Sequence, residues 1–92
     1  MAAKLPLKLR VFEYITQIDH PVTTKQVTDA IKGEYEGERQ MKYARIDNYM
    51  QALLGVNMIQ QNKVAFDDKG KLLVYYEVSD FGKSRIKYIP KR

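Results

Sequence analysis

The chain has 92 residues, of which 45% are hydrophobic and 29% are charged, as is typical of one small globular domain. It has no cysteine, which excludes disulfide bonds, thiolate metal sites and cysteine nucleophiles. No apolar run approaches the roughly 18 residues of a membrane span, and the first residues lack the apolar segment of a signal peptide. We therefore expect a cytoplasmic protein, on the nucleoid if the cell is bacterial or archaeal. The formal net charge of +5 favours a polyanionic partner.

A first helix is predicted near the N-terminus from apolar residues at three- and four-residue steps. Pro6 suits its first turn. The segment Asp19-His20-Pro21 ends it, because the residue before a proline is disfavoured in the helical conformation. The residues expected to face the core are Leu5, Leu9, Phe12, Ile15 and Ile18.

The second helix carries the clearest local signal. Thr23 is a predicted N-cap and Gln26 completes a capping box, while Val22 and Val27 have the spacing of a hydrophobic staple. Gly33 is the expected C′ residue at the end of the helix. The predicted buried stripe consists of Val27, Ala30 and Ile31.

An acidic, glycine-containing connector at residues 34–38 precedes a third helix, predicted over residues 39–54. Gly55 ends this helix, and Val56 and Ile59 bring the chain back to the core. The predicted core face comprises Tyr43, Ile46, Met50, Leu53 and Leu54. The other sides of the helix carry Met41, Lys42, Arg45, Asn48, Gln51 and Ala52.

The last third of the chain changes to a strand pattern. Residues 60–66 and 71–78 are rich in Val, Tyr, Phe and Leu, and residues 67–70 between them form a predicted hairpin turn. Ser79 or Asp80 caps a short final helix or turn, and the last residues are predicted to fray. The apolar residues of this final segment are Phe81, Ile86 and Ile89.

This order of elements, in one domain with a core at about residues 5–89, resembles the winged helix-turn-helix DNA-binding domains of small transcription regulators. PVTTKQVTDAI at 21–31 resembles the family's second helix, and IDNYMQALLGVNMI at 46–59 resembles its recognition helix and the start of the wing. YEVSDFG at 76–82 resembles the segment that leaves the wing. The resemblance implies an α+β fold with three helices, a two- to three-stranded antiparallel wing hairpin and a short C-terminal helix or turn. It also implies binding of double-stranded DNA, usually as a homodimer.

The sequence departs from the family at the connector. A helix-turn-helix joins its two helices by about three or four residues. Residues 34–38 make this turn longer, and their glutamates fall near the expected position of DNA phosphates.

The resemblance implies that the third helix enters the major groove with its outward residues against base edges. Arg45 is suited to guanine and Asn48 to adenine, with Lys42 beside them and with Arg39 and Gln51 at the periphery. Phosphate contacts are expected from the start of the second helix and from the wing, at Thr24, Lys25, Lys63, Lys69 and Lys71. A solvated helix face and a plain hairpin turn also explain these residues. The basic residues of the C-terminal segment, which either track phosphates or keep the protein soluble, are Lys83, Arg85, Lys87, Lys91 and Arg92.

Other functions stay open on the sequence alone. The main alternative is a winged helix that binds protein in a transcription, replication or phage-type assembly, which the acidic connector and acidic hairpin turn favour. Another is a reader of RNA or single strands through stacked tyrosines. His20 is the only histidine, and no phosphate-binding glycine loop or nucleophile elbow occurs, so we expect no metal, no cofactor and no enzymatic activity.

Overall fold

The structure, a computed structural model, describes residues 6–35 and 42–86 of the chain. The described residues form four α-helices, a short 3-10 helix and a two-stranded antiparallel sheet, which confirms the predicted α+β class. In chain order these are α1 (Leu7–Gln17), α2 (Thr24–Ile31), the 3-10 helix (Lys32–Tyr35), α3 (Tyr43–Gly55), β1 (Ile59–Phe66), β2 (Leu72–Val78) and α4 (Asp80–Arg85). The predictions that lie outside the described residues concern Leu5, Arg39, Met41, Ile89 and the last three basic residues of the C-terminal segment, Lys87, Lys91 and Arg92.

Helix α1 buries a different stripe from the predicted one. Leu7, Val11 and Ile15 follow each other at four-residue steps on one side and are buried, with Phe12 beside them. Leu9 was expected in the core and is 37% exposed, because it lies on the opposite side of the helix from Leu7. The helix ends before the predicted proline signal, with an extended residue at position 18.

The start of α2 forms as predicted. The backbone N–H of Gln26 donates to Thr23 Oγ1 at 3.2 Å, and the backbone N–H of Thr23 donates to Gln26 Oε1 at 3.0 Å. Both valines of the predicted staple, Val22 and Val27, are fully buried. The capping box and the staple therefore fix where the second helix begins.

The end of α2 differs from the prediction. Gly33 is not a left-handed C′ residue, because the chain continues from α2 directly into the 3-10 helix. This continued winding carries Tyr35 into the core, where it is buried. Of the predicted buried stripe, Val27 and Ile31 are buried, whereas Ala30 is exposed.

Helix α3 packs on the core through Ile46, Met50 and Leu53. It begins at Tyr43, so Lys42 is its extended N-cap and not a helical residue. Tyr43 was expected on the core face and is 51% exposed, because it stands at the helix start, one turn before the first buried residue.

The end of α3 is a Schellman motif. Asn57 adopts a left-handed φ of 63°, and its N–H donates to the carbonyl of Leu54 at 3.0 Å. The N–H of Met58 donates to the carbonyl of Leu53 at 2.9 Å. This reversal leaves Val56 exposed, contrary to the prediction that it returns to the core.

The hairpin pairs β1 with β2 in antiparallel register, with an irregularity at residues 61–63. Its turn is the predicted one, in which Gly70 has a φ of 77° and Asp67 Oδ1 accepts the N–H groups of Lys69 and Lys71. Val22, in the loop before α2, adds one antiparallel bridge to Tyr76 of β2. Through this bridge the helices and the hairpin share one core.

Helix α4 is fastened to the reversal after α3. Ser79 is its N-cap, with Oγ accepting the N–H of Gly82 at 2.9 Å and donating to the carbonyl of Asn57 at 2.5 Å. Gly82 is buried so closely that a Cβ atom there would lie 2.0 Å from the carbonyl oxygen of Met58. Only glycine fits this approach without movement of the backbone.

Candidate nucleic-acid interface

The outward side of α3 collects the predicted base-contacting residues. Since the opposite side is buried in the core, helical geometry turns Arg45, Asn48 and Gln51 towards solvent on one side. All three are exposed, and the N-cap Lys42 is exposed beside the helix start. This surface offers a guanidinium, two carboxamides and an ammonium, the groups that read base edges and phosphates.

The start of α2 is joined to α3 by a side-chain hydrogen bond. Thr24 Oγ1 donates to Asp47 Oδ1 at 2.9 Å, and Thr24 is only 4% exposed. The Thr24 hydroxyl is thus occupied inside the fold, which differs from its expected role as a side-chain phosphate contact. A phosphate contact at this helix start would therefore use the backbone N–H groups and not the Thr24 hydroxyl.

Lys25 projects from the same helix start. Its Nζ lies 3.1 Å from Asp29 Oδ2, and Lys32 Nζ lies 3.5 Å from the other oxygen of that carboxylate. The hydrogen bond from Lys25, together with the charges of both lysines, lowers the pKa of Asp29. Because the Lys25 side chain is 74% exposed, this ion pair is weakly held and the ammonium is accessible to a phosphate.

A second hydrogen bond joins α3 to the hairpin. Gln51 Nε2 donates to the hydroxyl of Tyr76 at 3.0 Å, and Tyr76 is buried in the core. Gln51, predicted as a peripheral DNA contact, therefore also links α3 to β2.

The hairpin holds its lysines in two different ways. Lys63 Nζ lies 4.8 Å from the ring centroid of Tyr75, a cation–π contact along the hairpin. Lys69 and Lys71 are exposed at the turn. Asp67, which lies between the strands, uses its carboxylate to hold the backbone of that turn.

The first glutamate of the acidic connector is ion-paired with α1. Arg10 of α1 donates from Nε to Glu34 Oε1 at 2.8 Å and from its NH2 nitrogen to Oε2 at 2.9 Å, and it also bonds Glu13. The Glu34 carboxylate raises the pKa of Arg10. Glu34 therefore faces α1, which differs from the expectation that the connector glutamates point towards DNA phosphates; residues 36 and 38 lie outside the described part of the chain.

Two positioning residues, Asp47 and Tyr76, were not singled out from the sequence. A weak signal exists for each of them. Aspartate in a helix interior is unfavourable unless its carboxylate finds a partner. A tyrosine in an apolar strand needs a partner for its hydroxyl when it is buried.

Other kinds of site have no counterpart in the described residues. Within residues 6–35 and 42–86, no three His, Cys, Asp or Glu side chains are grouped as metal ligands would be. No helix in the same ranges has the length and apolar composition needed to cross a bilayer. An open cleft of about 530 Å³ lies between the end of α1, the base of the hairpin and α4, and of the residues considered for contact with DNA it is lined by Lys83 alone.

The chain matches no model of a known protein family, and no curated protein matches it in sequence.

Proposed function

We propose that the protein is a winged helix-turn-helix domain that binds double-stranded DNA sequence-specifically, as a small transcription regulator. The observation that carries this proposal is the exposed outward face of α3, with the start of α2 on one side of it and the hairpin on the other. Thr24 holds the start of α2 against one flank through Asp47, and Tyr76 holds the hairpin against it through Gln51. The order of elements and the Val22–Tyr76 bridge, which supplies a minimal third strand, support the same reading.

In this proposal each part of the face has its own chemistry. Arg45 offers a bidentate fork to guanine, and Asn48 pairs with adenine, each such contact contributing about 1–3 kcal/mol of discrimination. Lys25, Lys42 and the lysines of the hairpin turn bind phosphates and set the salt dependence of affinity. Glu34 does not oppose this contact, because its carboxylate is ion-paired with Arg10 of α1.

Selection of bound sequences from random duplex DNA, followed by titration of the selected site, tests the proposal. We expect binding that weakens steeply as salt rises from about 50 to 200 mM, since bound lysines and arginines release counterions from DNA. Arg45→Ala should weaken binding by about 1–3 kcal/mol and relax the preference at one base pair. Lys8→Ala, which removes one exposed positive charge from α1, is the control and should leave the preference unchanged.

Two results count against the proposal in different ways. Absence of binding at about 50 mM salt rejects DNA as the partner. Binding that is indifferent to Arg45→Ala keeps DNA as the partner but removes α3 as the reading element.

A protein-interaction module is the second candidate. The observation that favours it is the exposure of Val64, Phe66 and Leu72 on the hairpin. The protein-interaction candidate is favoured if the protein does not bind DNA and instead binds itself or another protein through these residues.

A further inference from the structure

The cleft between the end of α1, the base of the hairpin and α4 has the size of a small-molecule site. Its volume is about 530 Å³, within the range of about 300–1,000 Å³ that such sites occupy. The apolar residues that line it are Ile15, Ile18, Pro21 and Val78, of which Ile15 is buried and the others are half-buried. A ligand with an apolar body therefore loses contact with water there. We call this site the α1–α4 cleft.

Carboxylates outnumber positive groups on the walls of the α1–α4 cleft. Asp19, Glu77 and Asp80 line it, and the positive side chain among its lining residues is that of Lys83. Within residues 6–35 and 42–86, none of these three carboxylates forms an ion pair. The surplus of negative charge therefore attracts a cation.

Glu77 is held in place without losing its charge. Gln60 Nε2 donates to Glu77 Oε2 at 2.7 Å, and Asn62 Nδ2 donates to Glu77 Oε1 at 3.0 Å. Both donors are neutral carboxamides, so they orient the carboxylate but do not cancel its charge. A charged group that is already oriented loses less conformational freedom when a ligand binds.

The uncharged polar groups of the cleft offer acceptors. Thr16 Oγ1 donates to the carbonyl of Glu13 at 2.7 Å, so its lone pairs are what remains for a ligand. His20 Nδ1 lies 3.0 Å from the carbonyl oxygen of Pro21, which can only accept, so Nδ1 carries the proton and Nε2 of the neutral ring is an acceptor. Helix α1 also ends at this cleft, and its last carbonyl groups carry partial negative charge with no basic side chain in the last turn.

Two groups oppose a cation in the cleft. Lys83 is exposed, so its long side chain can keep the ammonium in water. The start of α4 carries partial positive charge, but this helix has six residues, and the hydroxyl of Ser79 already accepts the N–H of Gly82. Asp80, in the first turn of α4, offsets this partial charge further. The balance of the walls stays negative.

We propose that the α1–α4 cleft binds a small organic cation, an ammonium or guanidinium group carried on an apolar body. The cationic group lies among the carboxylates, and the hydrocarbon covers Ile18 and Val78. An ammonium brings three donors and no acceptor, which matches walls that are rich in acceptors. A metal ion would leave the apolar walls in water. The proposal does not depend on DNA binding, because no outward residue of α3 lines the cleft.

Titration of the full chain with 2-phenylethylamine, followed by amide signals in nuclear magnetic resonance, tests the proposal. We expect the ammonium form to shift the signals of residues 16–20 and 77–83, which line or adjoin the cleft. Two ligands of similar size serve as comparisons, neutral 2-phenylethanol and anionic 3-phenylpropionate. Both should bind at least about threefold more weakly, as expected when a partly exposed ion pair is lost.

Charge variants give the test a sign. Asp80→Asn and Glu77→Gln should each weaken binding of the ammonium about threefold, whereas Lys83→Gln should strengthen it by a similar factor. Asp68→Asn, the same change in charge at the hairpin turn, is the matched control and should leave the affinity unchanged. Asp80 and Lys83 are exposed, so their variants report on binding even if Glu77→Gln destabilises the hairpin.

Several results would overturn the proposal. Equal affinity for the three ligands, or tightest binding of the anion, would show that the charge of the cleft does not select a cation. Weaker binding by Lys83→Gln, or shifts away from residues 16–20 and 77–83, would place the ligand elsewhere. Tighter binding of a short peptide with one central lysine would assign the cleft to a protein partner and not to a small molecule.

Discussion

Asp47 stands inside α3, where the intrinsic preference of aspartate for a helix is poor. Its carboxylate accepts a hydrogen bond from the hydroxyl of Thr24, a residue almost without solvent contact, across the junction of α2 and α3. A buried hydroxyl that loses its acceptor keeps its desolvation penalty and gains nothing in return. This contact therefore adds a buried hydrogen bond to the apolar packing of α3 on α2.

Asp47→Ala should lower the free energy of unfolding by about 1–3 kcal/mol, because it leaves the Thr24 hydroxyl buried without an acceptor. Urea denaturation followed by circular dichroism measures the change. Asp47→Asn, which keeps an acceptor oxygen, should recover most of the loss. Adding Thr24→Val to Asp47→Ala should also recover much of it, since removing both partners is nearly neutral. Strictly additive effects in the double variant would show that the two residues are not coupled.

At the scale of elements, α4 packs against the reversal after α3 through close backbone contacts that the pattern of side chains in the sequence does not reveal. The carbonyl groups of Asn57 and Met58, in the reversal after α3, both accept hydrogen bonds from Ser79. Gly82 then comes close enough to the same reversal to exclude any side chain. The end of α3 and the start of α4 are thus one packed unit.

Gly82→Ala should destabilise the protein by about 1–3 kcal/mol, as overpacking of a filled site does. The added methyl group would lie 2.0 Å from the Met58 carbonyl oxygen and 2.9 Å from Val78 Cγ2, so the backbone of α4 must move. Gly33→Ala is the matched control, because its Cβ would meet nothing within 4 Å. Thermal melting should show a lower midpoint for Gly82→Ala and an equal or higher one for Gly33→Ala. Equal midpoints for both variants would contradict the close approach.

The elements were predictable where their signals are local. The capping box at Thr23, the turn with Gly70 and the cap at Ser79 each depend on neighbours within a few positions, and each forms as expected. Exposure of Leu9 and Ala30 was missed because periodicity identifies a helix but leaves its rotation uncertain when apolar residues lie on more than one side.

In the candidate site, too, local features were predictable and contacts between distant segments were not. The outward polar residues of α3 were predictable from one helix wheel. The partners of Thr24 and Gln51, at Asp47 and Tyr76, come from segments far away in sequence and depend on packing. The expectation that Glu34 lies near DNA phosphates was wrong for the same reason, because its partner Arg10 belongs to a helix far away in sequence. The DNA contacts themselves stay predictions.

At the scale of the whole molecule, the charge of +5 is not the quantity that matters for recognition. Among the described acids, Asp29, Glu34, Asp47 and Asp67 are each engaged by a hydrogen bond or ion pair within the chain. The bases of α3 and of the hairpin turn are exposed. The placement of charged groups on each side of the molecule, and not their sum, therefore determines where a polyanion is attracted.

We expect the pairing of Val22 with Tyr76 to join the helices and the hairpin in one cooperative unit, which hydrogen exchange tests. Each residue donates its backbone N–H to the other's carbonyl, at 2.9 and 2.8 Å, and both residues are buried. We expect these two amides to exchange only through global unfolding, with the free energy of exchange equal to that of denaturation. The amide of Lys69, in the exposed turn, should exchange much faster. Fast exchange at Val22 with slow exchange in α3 would show that the bridge opens independently.

This bridge also sets the order of events during synthesis. Val22 leaves the ribosome well before Tyr76, and the buried tyrosine is part of the core that the helices and the hairpin share. Helix pairs without it lack a large part of their buried surface and are too short to be stable alone. We therefore expect the nascent chain to stay unfolded until the second strand has emerged, and then to fold in one step.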